Sequence, residues 1–182
     1  MICDILSYGR SELRTTCTPI ETVDDRVREL ADTLLKTMYA SQGLGLAAQQ
    51  IGRCEAICVV DEAPPVVDRP MDMPREHPDI PMPLVLINPR ILESSGKQTG
   101  DEGCLSFPEI FVSVTRAQEI VATYLDLDGH QQTITVHGLL ARAIQHEVDH
   151  LNGVLLVDHM SPVQKIALAG KLRRLKRANQ PA

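Results

Sequence analysis

Apolar residues recur at helical spacing in three parts of the chain. This periodicity predicts helices over about residues 23–41, 138–151 and 162–178. The apolar stripes are Val27, Leu30, Leu34 and Met38 in the first helix, Leu140, Ile144 and Val148 in the second, and Leu168, Leu172 and Leu175 in the third. Thr22 followed by Asp25 resembles a capping pair that begins the first helix, and Gly153 is placed to end the second.

Runs of β-branched and aromatic residues between these helices predict strands. The runs lie at residues 56–60, 84–87, 111–114, 119–125 and 133–136. Asp128-Gly129 joins the last two runs and is typical of a hairpin turn, so we expect antiparallel pairing. Because strands and helices do not alternate as parallel βαβ units require, the predicted fold class is α+β.

Two stretches interrupt this pattern. Seven of the twelve prolines lie between Pro64 and Pro83, which argues against regular structure there. We interpret residues 61–83 as a long surface excursion, for which a tolerated insertion is a more ordinary explanation than a functional lid. Gly43 and Gly45 indicate a loop that either turns or lets the backbone approach another group closely.

Composition narrows the class of protein. The chain has 182 residues, 43% of them hydrophobic and 23% charged, which suits a compact domain and excludes a disordered or fibrous protein. No apolar run approaches the roughly eighteen residues of a membrane span, and charges interrupt the region where a secretory signal would be apolar. The five cysteines have no framework spacing, so we expect reduced thiols and a cytoplasmic protein.

Charge is distributed unevenly along the chain. The net charge of −6 argues against nucleic acid as the main partner. Residues 161–182 nevertheless carry six basic side chains and no acidic one, which leaves a net charge of −12 on the remainder. A solvated surface helix is the ordinary explanation for such a basic segment, and docking on an anionic partner is the alternative.

The second predicted helix contains His146-Glu147-Val148-Asp149-His150. Residues four apart lie about 40° apart around a helix, so both imidazoles can reach one metal ion with Glu147 beside it. This pattern is typical of a metal-activated hydrolase, although an exposed helix face can contain it by chance. The metzincin peptidase extension fails, because Leu156 stands where its third histidine belongs.

A third metal ligand has to come from elsewhere. Cys104, in the turn-bounded segment 101–108, is the best candidate, because its thiolate could face a metal there. Taken alone, Cys104 is more ordinary as a small buried hydrophobe. We interpret Cys54 and Cys58 as core residues, since no second pair accompanies them, and the four remaining histidines fit no spacing pattern.

Three segments together resemble the motifs of the peptide deformylase family. Residues 43–50 (Gly-Leu-Gly-Leu-Ala-Ala-Gln-Gln) are similar to its first motif, residues 102–106 (Glu-Gly-Cys-Leu-Ser) to its second, and residues 145–150 (Gln-His-Glu-Val-Asp-His) to its third. They occur in the family's order, and the resemblance covers about residues 1–160. It implies an α+β fold in which antiparallel or mixed sheets surround a central metal-binding helix, with a C-terminal helix after it.

Two positions depart from the family's pattern. Gln49 stands where many members have proline, which removes no functional group. Phe111 stands where several members have arginine near the mouth of the pocket. Substrate preferences beyond the first residue therefore do not carry over.

The resemblance implies roles for particular residues. It makes Cys104, His146 and His150 the ligands of one divalent metal ion, Fe²⁺ or Zn²⁺, with Fe²⁺ expected. Ligand softness by itself favours zinc. Glu147 would be the general acid and base, while the side-chain amide of Gln50 and the backbone N–H of Leu105 would stabilise the oxyanion. The implied substrate-binding residues are Leu44, Gly45, Leu139, Arg142 and Ala143.

The implied reaction is hydrolysis of the formyl group from the N-terminal formylmethionine of nascent polypeptides, with release of formate. Two alternatives remain: another metal amidase or peptidase, and a non-catalytic protein whose metal is structural. The structural alternative requires a fourth protein ligand and has no use for Glu147 or Gln50.

The expected partners follow from the same resemblance. They are formylmethionyl peptides and the ribosome surface, the latter through the basic segment 161–182 that follows a catalytic domain at 1–160. We expect no membrane and no sequence-specific nucleic acid.

Overall fold

A computed structural model of the protein describes residues 1–64 and 75–179. In these ranges the chain forms three α-helices and seven β-strands. In chain order they are α1 (Asp25–Ala40), β1 (Gly45–Ala47), β2 (Ile57–Val60), β3 (Leu84–Ser95), β4 (Gln98–Gly103), β5 (Phe111–Arg116), β6 (Glu119–Leu125), β7 (Gln131–His137), α2 (Gly138–Leu151) and α3 (Pro162–Asn179). The predicted α+β class is confirmed.

All three predicted helices are present, and α2 has the predicted bounds. The predicted cap of α1 is wrong. Asp24 rather than Thr22 precedes the helix, and its carboxylate accepts a hydrogen bond of 3.1 Å from the backbone N–H of Val27. That N–H has no partner inside the helix, so the carboxylate fixes the point at which α1 begins.

The strand predictions hold where the apolar pattern was strong and are incomplete elsewhere. β1 and β4 contain glycine and lack a clear apolar alternation, so β1 was expected to be a loop and no strand was expected at β4. They are strands because β1 pairs with β2 and β4 pairs with β5 along their lengths. β3 continues past its predicted end through Pro89, where its register with β6 shifts and the missing N–H of proline is tolerated.

The main sheet lies between two helices. Its antiparallel strands have the order β1-β2-β3-β6-β7, while β4 and β5 form a separate hairpin. In β2, Cys58 and Val60 belong to the apolar cluster of α2, whereas Ile57 and Val59 belong to that of α1. Both faces of β2 are therefore buried, which explains its unbroken apolar run.

Cys54 was expected in the core beside Cys58 but is exposed, because β2 begins only at Ile57 and the strand alternation does not reach it.

Of the proline-rich excursion, residues 65–74 lie outside the described residues. Residues 75–83 form turns and bends without helix or strand, as expected.

The predicted leucine seam of α3 is confirmed. Leu172 is buried, with Leu168 and Leu175 partly buried beside it, in a cluster that includes Phe107 and Ile110. The opposite side of α3 is exposed. Among the helices of residues 1–64 and 75–179, none combines the length and the apolar content that a membrane crossing needs.

Candidate metal and catalytic site

Three side chains capable of binding a metal meet between α2 and the end of β4. His146 and His150 lie one helical turn apart on α2, and Cys104 directly follows β4. The Sγ atom of Cys104 lies 3.2 Å from Nε2 of His150, and the ligand atoms of all three residues lie within 4.8 Å of one another. Such separations suit ligands that would each lie about 2.0–2.3 Å from one ion.

A carboxylate orients the first histidine of this group. Nδ1 of His146 lies 3.1 Å from Oε2 of Glu102, so Nε2 is the ring nitrogen left to face the site. His150 directs its Nε2 toward Cys104. The two imidazoles therefore present the same nitrogen to the space between them.

Glu102 is itself buried and held by two arginines. It accepts hydrogen bonds of 2.6 and 2.9 Å from Arg116 and one of 2.7 Å from Arg142. Burial by itself would raise the pKa of Glu102, but the hydrogen bonds from His146 and Arg116 outweigh it and the pKa lies well below its usual range. Glu102 therefore stays a carboxylate that can hold His146 in place.

The network continues on the far side of Arg116. Arg116 donates a hydrogen bond of 2.7 Å to Asp149, and Nε2 of His159 lies 2.7 Å from the same carboxylate oxygen. Sequence reasoning missed these groups. Glu102 and Asp149 lie within the motifs of residues 102–106 and 145–150, so their position in a motif could have indicated a role. Arg116 and His159 lie in no motif.

Glu147, between the two histidines in the sequence of α2, has one carboxylate oxygen without a hydrogen-bond partner in the part of the chain that the structure describes. Its residue is only 4% exposed, and Oε2 has no hydrogen-bond partner among the described residues. Burial raises the pKa of Glu147 to about 7, against the opposing effect of His146 and Arg116. Such a carboxyl group can both accept and release a proton near neutral pH.

Gly45 makes room for this carboxyl group. A Cβ atom at Gly45 would lie 2.8 Å from Cδ of Glu147, closer than Cβ atoms in folded proteins come to a non-bonded heavy atom. Of the two explanations for the glycine loop, a close approach is therefore the one that applies to Gly45.

Gln50 is fixed with its amide nitrogen toward Cys104. It lies in the short 3₁₀ turn Ala48–Ile51, where its Oε1 accepts a hydrogen bond of 3.0 Å from the backbone N–H of Ala47. Its Nε2 donates to Ser106 at 3.1 Å and lies 3.7 Å from Sγ of Cys104. Both N–H groups of the Gln50 amide therefore point to partners at the edge of the cavity.

A cavity of about 480 Å³ joins these groups to solvent. Gln50, Cys104, Leu105, His146 and Glu147 all contribute to its wall. Every residue expected to bind substrate lines the same cavity: Leu44, Gly45, Leu139, Arg142 and Ala143. Phe111 stands exposed at its rim. The structure thus brings together residues from separate parts of the chain around one space.

The donor set fits a divalent transition metal. One thiolate and two imidazoles suit zinc or ferrous iron, and no further His, Cys, Asp or Glu of residues 1–64 and 75–179 joins the group. Three protein ligands beside an open cavity are typical of a catalytic site, whereas a structural site is closed by a fourth. The unpaired oxygen of Glu147 also favours catalysis, because a structural metal would not require it.

Comparisons with known proteins point to one family. The model of the family described as polypeptide deformylase matches residues 2–166. A peptide deformylase of Alkalilimnicola ehrlichii is 42% identical over 176 residues, which are 97% of this chain and 92% of that protein. Peptide deformylase 2 of Gloeobacter violaceus is 45% identical over 169 residues, which are 92% of this chain and 83% of that protein.

Solved structures agree with the sequence comparisons. A peptide deformylase from Legionella pneumophila superposes with a TM-score of 0.83 at 36% identity and covers 100% of both chains. One from Synechococcus elongatus, in complex with actinonin, gives a TM-score of 0.80 at 37% identity over 93% of this chain and 87% of that chain.

Proposed function

The chain belongs to the polypeptide deformylase family, and from this we propose that Cys104, His146 and His150 hold the metal ion on which its catalysis depends. The enzyme is a metal-dependent hydrolase that removes the formyl group from the N-terminal formylmethionine of polypeptides and releases formate. The observation that carries the residue assignment is the meeting of Cys104 and both histidines beside a cavity that Glu147, with its unpaired oxygen, also lines.

Glu147 is proposed as the group that moves the proton. An amide carbonyl is a poor electrophile, and a bound divalent ion would polarise it and acidify the attacking water. Glu147 would accept a proton from that water and deliver one to the departing amine. Its burial supports this assignment, because a pKa of about 7 suits both directions of transfer.

Gln50 and Leu105 are proposed as donors to the oxygen of the tetrahedral intermediate. The bonds from Ala47 and to Ser106 hold the Gln50 side chain before substrate arrives. A donor fixed in advance costs little reorganisation during the reaction. The backbone N–H of Leu105, directly after Cys104, would be the second donor.

The substrate would bind along β1 with its methionine against α2. β1 is the edge strand of the main sheet, so the backbone around Leu44 and Gly45 can pair with an extended peptide. Leu139 and Ala143 would form the apolar wall of the methionine pocket. Arg142 would add its methylene stem, because its guanidinium is turned away to Glu102 and the carbonyl of Gln98.

Formate release tests the function directly. We expect the purified enzyme to release formate from a short formyl-Met peptide and to leave an internal peptide bond of the same peptide intact. Cleavage of the internal bond would favour the alternative of a general metal peptidase.

The ion is proposed to be Fe²⁺. A site with one thiolate and two imidazole ligands would accept either Fe²⁺ or Zn²⁺. Zinc would bind more tightly if both ions were equally available. Metal analysis of protein purified without oxygen checks this assignment. Stoichiometric zinc under those conditions would contradict it.

We propose further that residues 1–160 form the catalytic domain, and that residues 161–182 dock it weakly on the ribosome in the cytoplasm. The outward side of α3 carries Arg173, Arg174 and Arg177, while the leucine seam holds the helix on the body. Basic side chains on one exposed face suit the phosphates of ribosomal RNA.

A further inference from the structure

The start of α2 is capped by residues from outside the helix. His137 at the N-cap position makes no side-chain cap hydrogen bond, and the first turn of α2 contains no acidic residue. A helix start leaves backbone N–H groups without partners and carries a partial positive charge. The helix that bears the metal ligands therefore needs its cap from elsewhere in the fold.

The end of the proline-rich excursion supplies this cap. The backbone N–H of Leu139 donates a hydrogen bond of 3.0 Å to the Glu76 carboxylate. The backbone N–H of His137 donates one of 3.2 Å to Nε2 of His77. Two neighbouring residues of the excursion thus satisfy the helix start, one of them with the negative charge that the helix dipole favours.

His77 is anchored rather than loosely placed. It is buried, its Nδ1 lies 3.0 Å from Oε2 of Glu62, and its backbone N–H donates a bond of 3.2 Å to the other oxygen of that carboxylate. Because Nε2 accepts the bond from His137, the proton of the neutral ring is on Nδ1 and points to Glu62. The His77 and His137 rings also contact each other, with centroids 4.5 Å apart.

Gly138 is fitted to the same contact. Its φ of +58° is a left-handed conformation that glycine adopts without strain. A Cβ atom there would lie 2.9 Å from Cδ of Glu76. A side chain at this position would push the carboxylate away from the helix start.

The capped turn is the one that builds the substrate pocket. Leu139 receives the bond from Glu76 on its backbone and lines the cavity with its side chain, and Arg142 and Ala143 follow on the next turn. We infer that Glu76 and His77 are positioning residues, which fix the start of α2 and thereby the apolar wall that selects methionine. This inference rests on the proposed function only where it assigns the apolar wall of the pocket to the methionine side chain.

The test compares Glu76→Ala and Glu76→Gln in the metal-loaded, full-length enzyme. Loss of the cap should accelerate hydrogen exchange of the Leu139 amide about fivefold in Glu76→Ala. It should raise KM for a formyl-Met peptide about threefold with kcat within about twofold, and reduce the preference for formyl-Met over formyl-Ala peptides by a similar factor. Glu76→Gln keeps an acceptor oxygen, so all three effects should be smaller.

Asp79→Ala is the matched control, since it removes an exposed acid of the same segment that has no hydrogen bond or ion pair to α2 among the described residues. It should behave as the unmodified enzyme.

Unchanged exchange at Leu139 in Glu76→Ala would overturn the inference, and so would faster exchange with unchanged KM and unchanged methionine preference. If Glu76→Ala does not fold, the same readouts in Glu76→Gln decide. Failure of the proposed function can be distinguished from failure of this inference, because in the first case even the unmodified enzyme would release no formate.

Discussion

At the scale of single residues, the candidate site depends on buried polar groups that the fold holds in a fixed orientation. Glu147 is buried with a free Oε2, and Gln50 is fixed through its Oε1 with its amide nitrogen beside Cys104. A buried group without a partner destabilises the folded protein, so its retention favours a use in the reaction. Three predictions concern these groups.

Glu147→Gln should keep the metal and lose most of its turnover. Glutamine preserves the shape of the side chain and removes the proton carrier, which typically costs about 10²–10⁴ in rate. The measurement is kcat on a formyl-Met peptide together with the metal content of the variant. Glu119→Gln, an exposed acid on β6, is the control. Normal turnover at full metal occupancy would contradict the assigned role.

Gln50→Ala should lower kcat by about 10²–10³ and leave the metal bound, because it removes one donor to the oxyanion. Gln49→Ala is a control from the same turn. The Gln49 side chain donates instead to the carbonyl of Thr15, so its loss should cost about 1 kcal/mol of stability and leave kcat nearly unchanged. A Gln50→Ala effect confined to KM would indicate substrate binding rather than oxyanion stabilisation.

Gly45→Ala and Gly170→Ala should have opposite consequences. The new methyl group at Gly45 would collide with the Glu147 carboxyl group, so we expect loss of activity and lower stability. At Gly170, in the exposed part of α3, an added Cβ atom would meet nothing within 4 Å beyond its chain neighbours and the backbone of the helix, and alanine should raise stability by about 0.5–1 kcal/mol. Thermal unfolding and kcat of both variants test the pair, and equal behaviour would show that Gly45 is not needed for the close approach.

At the scale of elements, α2 and the β4–β5 hairpin are joined by charged side chains. Glu102 on β4 binds Arg116 on β5 and both His146 and Arg142 on α2, and Arg116 reaches Asp149 on the same helix. These bonds link α2, which carries two of the proposed metal ligands, to β4, which ends next to the third.

Glu102→Gln should therefore weaken metal binding without removing a ligand. Loss of a partner that orients a ligating histidine typically reduces metal affinity about 10–100-fold. Competition with a chelator measures the change, and Asp101→Asn, the exposed neighbour on β4, is the control. Equal metal affinity in the two variants would contradict the role of Glu102.

At the scale of the whole molecule, the proposed docking of the basic face of α3 on the ribosome can be tested separately from catalysis. Replacing Arg173, Arg174 and Arg177 with glutamine should abolish co-sedimentation with ribosomes at low salt, because it removes three of the proposed phosphate contacts. Turnover of a short formyl-Met peptide should not change, because none of these residues lines the catalytic cavity.

This triple variant is preferable to truncation after Met160, because Leu172 is part of an apolar cluster that truncation would open. The matched control removes three exposed positive charges elsewhere, at Arg26, Lys36 and Lys97. Ribosome binding that falls equally in both variants would point to net charge rather than to α3, and binding that survives in the α3 variant would contradict the docking proposal.

The sequence by itself determined the elements and groups that local pattern encodes. The bounds of α2 follow from its apolar spacing, and the motifs of residues 43–50, 102–106 and 145–150 identify the family. Helical periodicity is a property of neighbouring residues, so it can be read without knowledge of the fold. The same periodicity places His146 and His150 on one face of α2.

Tertiary structure alone decided what depends on distant partners. β1 and β4 are strands because of the strands they pair with, and the cap of α2 comes from Glu76 rather than from its own first turn. Arg116 gave no signal, since its bonds to Glu102 and Asp149 cross 14 and 33 residues of the chain. Hydrogen bonds and burial act between groups that folding brings together, and their energies are not encoded in the spacing of neighbours.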